Sequence, residues 1–474
     1  MASALTRVEL RPLALARFAS VLPPDRYGAF METVHTTRER VRGHVVWNLN
    51  STAAGGGVAE ILTSLIAYAV DAGVDARWLV VHATPDFFKL TKRIHNNLHG
   101  APGDGGDLGE AERALYERGL ATAAAEFAKL LNQGDVVILH DPQTAGLVPV
   151  VHRAGLRVVW RCHVGIDHPH PLAERAWTFL RRYLDDADAI IMSRESFAWQ
   201  GFPPEKLRIV PPSIDAFSTK NVDLDAAAVR GILTTAGVIG DGGPAPYFTV
   251  HFDDRPDIVV RTPAAMVEER PARVSDDLVV QVSRWDRLKD PVGVIEGFVR
   301  RCARRFPSAH VMLAGPQAVS DDPESAQVLA EVAAYWHSLP GEVRAQVHLA
   351  ALSMADVEEN ALVVNALQRH AEVVVQKSLA EGFGLTVSEA MWKSRPVVAS
   401  RVGGIQDQIV DGVSGLLIDD PADLDAYGDC VATLLADPGL RARVGAAARA
   451  RVIDAFLATR HLEQWAVVVG GFVD

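Results

Sequence analysis

Two glutamates stand eight positions apart in the stretch EGFGLTVSEA, residues 381–390. Glu381 precedes a glycine-rich loop, and Glu389 falls on the helix that this loop should open. Carboxylates accept hydrogen bonds from paired hydroxyls, as on ribose and hexose, so the pair could grip opposite ends of an elongated, hydroxyl-rich ligand. Gly382 and Gly384, flanking Phe383, let backbone approach a ligand without a Cβ in the way. The helix start at Leu385 and Thr386 offers unpaired N–H groups and a positive dipole end suited to phosphate. The plainer alternative is a loop–helix junction whose glutamates are a solvated cap and a surface charge.

Three other stretches carry comparable chemistry. VSRWDRLKD (282–290) sets Arg284 and Lys289 in a strand-to-helix loop. Asp290 and Pro291 read there as N-cap and first residue of the next helix. Two such cations can neutralise a diphosphate, one by a bidentate fork and one as a point charge. NLNSTAAGGGVAEIL (48–62) places Gly55, Gly56 and Gly57 between strand and helix. Glu60 stands where a dinucleotide fingerprint needs its third glycine, so the loop is expected to approach a sugar or a transferring phosphate instead. WRCHVGIDHPHP (160–171) clusters Cys162, His163, Asp167, His168 and His170. Adjacent residues on a strand point oppositely, which excludes a Cys162–His163 nucleophile–base dyad. His163, at a strand C-terminus, is the functional candidate. No second ligand group has zinc spacing, and no metal is expected. In FFKLTKRIHNNLHG (87–100), Lys92, His95, Asn96 and His99 share one helix face, either a solvated face or the polar rim of a sugar pocket.

These stretches need a scaffold. The chain has 474 residues, which suggests two domains. Buried strands are expected at 44–50, 77–83, 135–140, 156–163 and 189–193, then at 278–283, 310–315, 346–350, 372–378, 395–400 and 415–418. Helical patterns separate them; Val58, Ile61, Leu62, Leu65, Ile66, Ala69 and Val70 form one apolar stripe that ends before Gly73. Strand and helix in alternation predict an α/β protein with two parallel sheets. Ligands bind at the carboxyl ends of such strands, so a cleft between two facing domains is the expected site. IVPPSID (209–215) reads as a linker, dividing a domain over 1–215 from one over 216–455. Residues 217–277 read as an irregular insertion holding a small hairpin of YFTVHF and DIVVRT. The segment 456–474 reads as a helix that packs back on the first domain.

The net charge of −12 disfavours nucleic acid as a partner. Three distant cysteines make no disulfide framework. Arg7, Glu9, Arg11 and Arg17 interrupt every apolar run at the N-terminus, and no run is long enough to span a bilayer. A cytoplasmic protein with no membrane partner is expected.

With these stretches assembled, the chain resembles the retaining glycosyltransferases of the GT-B fold, in the family-four group. Its NSTAAGGGVAEIL, FFKLTKRIHNNLHG, LHDPQTAGL, WRCH, PPSID, VSRWDRLKD and EGFGLTVSEAMWKSRPVVASRVGGIQDQIVDGVSGLL run through both halves in order. They are most similar to the trehalose glycosyltransferring synthases, relatives of the retaining trehalose phosphorylases. The resemblance implies two Rossmann-like domains: a sugar-acceptor one and a nucleotide-sugar one. It places Glu381 and His163 at the donor hexose, and Arg284 and Lys289 at the diphosphate. Glu389 falls at the ribose, beside Gly382, Phe383, Gly384, Leu385 and Thr386. Asn50, Gly55, Gly56, Gly57, Glu60, Lys92, His95, Asn96 and Asp141 fall on the acceptor side.

The implied reaction moves an α-glucosyl group reversibly from a nucleoside diphosphate glucose, ADP-glucose being one candidate, to glucose, forming trehalose. Same-face attack would have the leaving phosphate take the acceptor proton. Neither a covalent intermediate nor a required cofactor is implied; Mg2+ would be at most a stimulant. The partners are a sugar and a nucleotide sugar, with a homodimer left open. A phosphate-using trehalose phosphorylase and a non-catalytic sugar-nucleotide binder are the alternatives. Three departures stand out: a long segment after PPSID, an altered sequence after His163, and Asp290 where a glycine is usual.

Overall fold

The computed structural model describes residues 3–53, 56–240, 245–317 and 323–473. Its strands, in chain order, are β1 Leu5–Val8, β2 Val45–Asn50, β3 Asp75–Val81, β4 Val136–His140, β5 Arg157–Cys162, β6 Ala189–Met192 and β7 Leu207–Ile209. There follow β8 Phe248–Val250, β9 Ile258–Val260, β10 Ala265–Val267, β11 Asp277–Val282 and β12 Ala309–Pro316. The last are β13 Val347–Leu352, β14 Val373–Gln376, β15 Val397–Ser400 and β16 Leu416–Ile418. They make two seven-stranded sheets, ordered β1-β3-β2-β4-β5-β6-β7 and β10-β13-β12-β11-β14-β15-β16, and the two-stranded hairpin β8-β9.

Each large sheet is parallel except for one edge strand. β1 runs antiparallel to β3, and β10 antiparallel to β13. The parallel-sheet expectation missed both, as well as β7. Edge strands of three or four residues have one neighbour and half-exposed side chains, so they lack the apolar run that marks a central strand. The stretch expected to be irregular also contains the helix Ala226–Thr235, and its hairpin forms as β8 and β9. Chain order reverses between β2 and β4 in the first sheet, and between β11 and β14 in the second. At such reversals the loops leaving two adjacent strands diverge and open a crevice.

The chain divides into two compact units, 1–213 with 456–474, and 214–455. In the first unit, β5 shows how one strand serves two layers. Val158, Trp160 and Cys162 enter the core on one face, while Val159 enters the other. That other face is covered by the helix Ala458–Gly470, whose Trp465 and Val469 pack with Val46, Ile138 and Val159. The second core gathers Val279, Val311, Leu349, Val373 and Val398 from its central strands.

Candidate active site

In the second unit two loops leave adjacent strands at the point of reversal. The loop after β11 carries Arg284, Trp285, Asp286 and the 3-10 turn Arg287–Lys289. The Trp285 indole N–H donates to the Pro316 carbonyl at 2.9 Å, and Gln281 Nε2 donates to the Lys289 carbonyl at 3.0 Å. The loop after β14 runs from Lys377 to Gly384 and opens the helix Leu385–Trp392. The backbone N–H of Leu379 donates to the Leu288 carbonyl at 2.8 Å, tying the loops together.

Side chains reinforce this tie. Lys289 pairs with Glu381, and both side chains are nearly buried. Glu381 also accepts from the Gly382 N–H at 3.2 Å and from Ser378 Oγ at 3.4 Å. Lys377, fully buried, pairs with Asp290, which also caps the helix Pro291–Phe298 through the Gly293 N–H at 3.2 Å. The predicted N-cap forms, but at φ 44°, a left-handed conformation that favours glycine. Asp290 is retained there with the Lys377 charge as its partner. Arg284 points outward, its side chain 70% exposed, and donates to Asp286 at 3.0 Å.

Gly384 has φ 80°, so the glycine is required where the loop turns into the helix. Two glycines outside the predicted set support it. A Cβ on Gly403 would lie 1.8 Å from the Glu381 carbonyl oxygen, and the Gly404 N–H donates to the Gly382 carbonyl at 2.8 Å. Gln408 donates to the Phe383 carbonyl at 2.5 Å, and Thr386 Oγ1 to Gln376 at 3.1 Å. Glu389 is only 4% exposed, and its Oε2 has no hydrogen-bond partner among the described residues. The surface-charge alternative therefore does not hold. A buried carboxylate oxygen left unpaired costs free energy that a ligand hydroxyl can recover. Below it Lys393 bonds Asn221, Gln368 and the Glu389 carbonyl, and burial pulls its pKa down to about 7.

In the first unit, Gly56 (φ 82°) caps the helix Gly57–Asp71, and Glu60 lies exposed on its first turn. Gly55 lies outside the described residues. Asn50 is committed to structure: it accepts from the Trp78 indole at 2.8 Å and donates to the Thr52 carbonyl at 2.7 Å. These two bonds hold the start of the loop in shape. Asp141 has φ 62°, and its Oδ1 accepts the His163 backbone N–H at 2.8 Å. Burial raises its pKa to about 6, against the lowering effects of that hydrogen bond and of Arg161. His163 follows β5 and is half-buried; burial, then Arg161, holds it well below the usual histidine range. Lys92, His95 and Asn96 lie on the helix Pro85–Leu98, Lys92 exposed and His95 edge-on to His99 at 5.0 Å. Just past that helix, Gly100 packs against Ile166 and His170, in the segment that follows His163.

Arg161, His140 and His461 were missed. Arg161 is 1% exposed; it donates to His163 and, at 2.9 Å, to the Val210 carbonyl. His140 bonds His163 and Asn48 at 3.2 Å each, and His461 Nδ1 meets Ser213 Oγ at 2.9 Å. Only WRCH hinted at Arg161, since a charged residue inside an apolar strand needs a buried task. Among the described residues no cluster of three metal-ligating side chains occurs, and no helix is long and apolar enough to cross a membrane. Cys162, Cys302 and Cys430 are free.

The chain is similar to known proteins. The family model for the trehalose synthase N-terminal domain matches residues 48–199, and that for group 1 glycosyl transferases matches 265–451. The trehalose synthase of Rubrobacter xylanophilus is 35% identical, covering 97% of both chains, and that of Pyrococcus horikoshii 33%, covering 90% of both. The trehalose phosphorylase of Pleurotus pulmonarius is 29% identical over 85% of this chain and 54% of its own. A solved trehalose-6-phosphate synthase, OtsA, superimposes with a TM-score of 0.65, covering 91% of this chain and 100% of its own at 12% identity, a likeness of fold. A chain with these two sheets, these loops and relatives alike over nearly its whole length belongs to the trehalose synthase family of GT-B glycosyltransferases, and is a glycosyltransferase of trehalose metabolism.

Proposed function

We propose that the protein is a retaining glucosyltransferase that moves α-glucosyl reversibly from a nucleoside diphosphate glucose, with ADP-glucose the first donor to try, to glucose, forming trehalose. The observation that carries this reading is the pair of tied loops at the ends of β11 and β14. They hold two cations and Glu381 ahead of a helix whose Glu389 keeps a buried, unpaired carboxylate oxygen. In this reading Arg284 and Lys289 take the diphosphate, Glu389 the ribose, and Glu381 and His163 the hexose. Lys289 must then leave or share Glu381 when the donor arrives, so its charge passes from a carboxylate to a phosphate. Catalysis comes from positioning and from charge stabilisation at the leaving diphosphate, which takes the acceptor proton. No metal or cofactor is assigned a step, and the name trehalose synthase, borne by relatives alike over nearly their whole length, supports the product.

The test is product analysis. Glucose is incubated with each nucleoside diphosphate glucose, and separately with glucose 1-phosphate. Trehalose from a nucleotide sugar, and none from glucose 1-phosphate, is the expected result. Trehalose from glucose 1-phosphate alone would instead make the protein a phosphorylase.

A further inference from the structure

His163, His140 and Arg161 form a chain of side chains, and the donor-only guanidinium sets the proton pattern from one end of it. Arg161 has only donors, and its Nε–H lies 3.2 Å from His163 Nε2. Nε2 therefore carries a lone pair. His140 Nδ1, also 3.2 Å from that nitrogen, must donate to it. A neutral ring has one proton, so His140 Nε2 carries a lone pair. The Asn48 atom 3.2 Å away is Oδ1, which cannot donate, so this pattern requires the Asn48 amide to be turned end for end, bringing its N–H to His140. We propose that Arg161 is a positioning residue that fixes His163 as the neutral tautomer with its proton on Nδ1. His163 then offers Nδ1–H to a sugar oxygen and takes no part as a general base.

The surroundings favour the neutral ring. Asp141 accepts the His163 backbone N–H, while Arg161 and Cys162 adjoin it on the same strand. His140 stands on the neighbouring strand, and His461 and Arg460 on the helix Ala458–Gly470. Burial, Arg161, His140 and His461 all disfavour the imidazolium. The hydrogen bond at one ring nitrogen selects the proton on the other.

The sugar contact rests on the function proposed above; the tautomer does not. It is read in the substrate-free full chain labelled with 15N-histidine, by long-range 1H–15N spectra between pH 5 and 8. The expected result is a neutral His163 with its proton on Nδ1 throughout. An imidazolium above pH 6, or a proton on Nε2, would overturn the proposal. Arg161→Lys keeps a donor and should retain this spectrum. Arg161→Met should release mixed tautomers and raise the His163 pKa, burial still holding it below the usual histidine range, so the acid limb of kcat should move to higher pH. If Arg161→Met does not fold, the wild-type spectrum still decides.

A second pair of variants reads the sugar contact. His163→Asn leaves an amide N–H near the Nδ1 position, whereas His163→Gln reaches toward Nε2. The asparagine variant should keep about ten-fold more kcat, the worth of one hydrogen bond. A more active glutamine variant would refute the Nδ1 donor. A correct spectrum in a protein that transfers no glucosyl group would sink the functional reading and leave the tautomer standing.

Discussion

At the scale of single residues, the two ends of the ligand should separate by mutation. Glu389→Gln should chiefly weaken binding of the free nucleoside diphosphate, because the ribose hydroxyls lose a charged acceptor worth about 1.5–3 kcal/mol. Glu381→Gln should leave that affinity nearly intact, since this ligand has no hexose, and should instead lower turnover. Titration calorimetry beside steady-state kinetics distinguishes them; the opposite pattern would reverse the assignment. Among the described residues Arg284 is held only by Asp286, and it is largely exposed, so it can swing onto a phosphate. Arg284→Ala should cost about 2–4 kcal/mol in kcat/KM for the nucleotide sugar. An unchanged kcat/KM in a folded variant would remove Arg284 from the site.

At the scale of elements, the pair of fully buried Lys377 with part-exposed Asp290 joins the start of one helix to the end of β14 and so sets the relation of the two loops. Asp290→Gly strands the buried Lys377 charge, at a cost of about 3–5 kcal/mol, while Lys377→Met leaves a carboxylate that water reaches and costs less. Lys377→Met and Asp290→Gly should each lower the unfolding midpoint, although the glycine relieves the positive φ of Asp290. The double variant Asp290→Gly with Lys377→Met should recover most of that loss. Additive losses in the double-variant cycle would show that the pair does not couple the loops. The sequence located both loops, since each follows a strongly apolar strand and precedes a helix-start signal. The pair itself was not legible, because Lys377 and Asp290 lie 87 positions apart and meet only when β14 pairs with β11.

At the scale of the whole molecule, acidification should act through the first unit. His140 is held at about 3 by burial, and His163 and His461 well below their usual value, again chiefly by burial. A depressed histidine pKa means that the unfolded chain binds protons first, so stability is lost as pH falls below about 6.5. Asp141 acts oppositely: raised to about 6, its folded form keeps a proton that the unfolded chain has released. It therefore gains stability as pH falls from about 6 toward 4, at roughly 1.4 kcal/mol per pH unit for each fully mismatched group. Three histidines outweigh one aspartate, so the unfolding midpoint should drop between pH 7 and pH 5. Thermal scans of the wild type and of His140→Phe check this; the variant should show the shallower slope, and an equal slope would remove His140 from the account.

The sequence by itself determined the fold class, the positions of the central strands along the chain and the loops bearing Arg284, Lys289 and Glu381. Central strands are continuous apolar runs, and strand-to-helix loops carry glycines and caps, so both signals are local. The tertiary structure alone decided the rest. It buried Glu389, committed Asn50 to the Trp78 indole, and added β1, β7 and β10 at the sheet edges. It also brought His461, from the far end of the chain, to Ser213 on the face where Arg161 meets Trp465. Burial and hydrogen-bond partners depend on which distant strands and helices become neighbours. No local pattern of residue types encodes that, because each such contact is the joint result of packing two whole elements together.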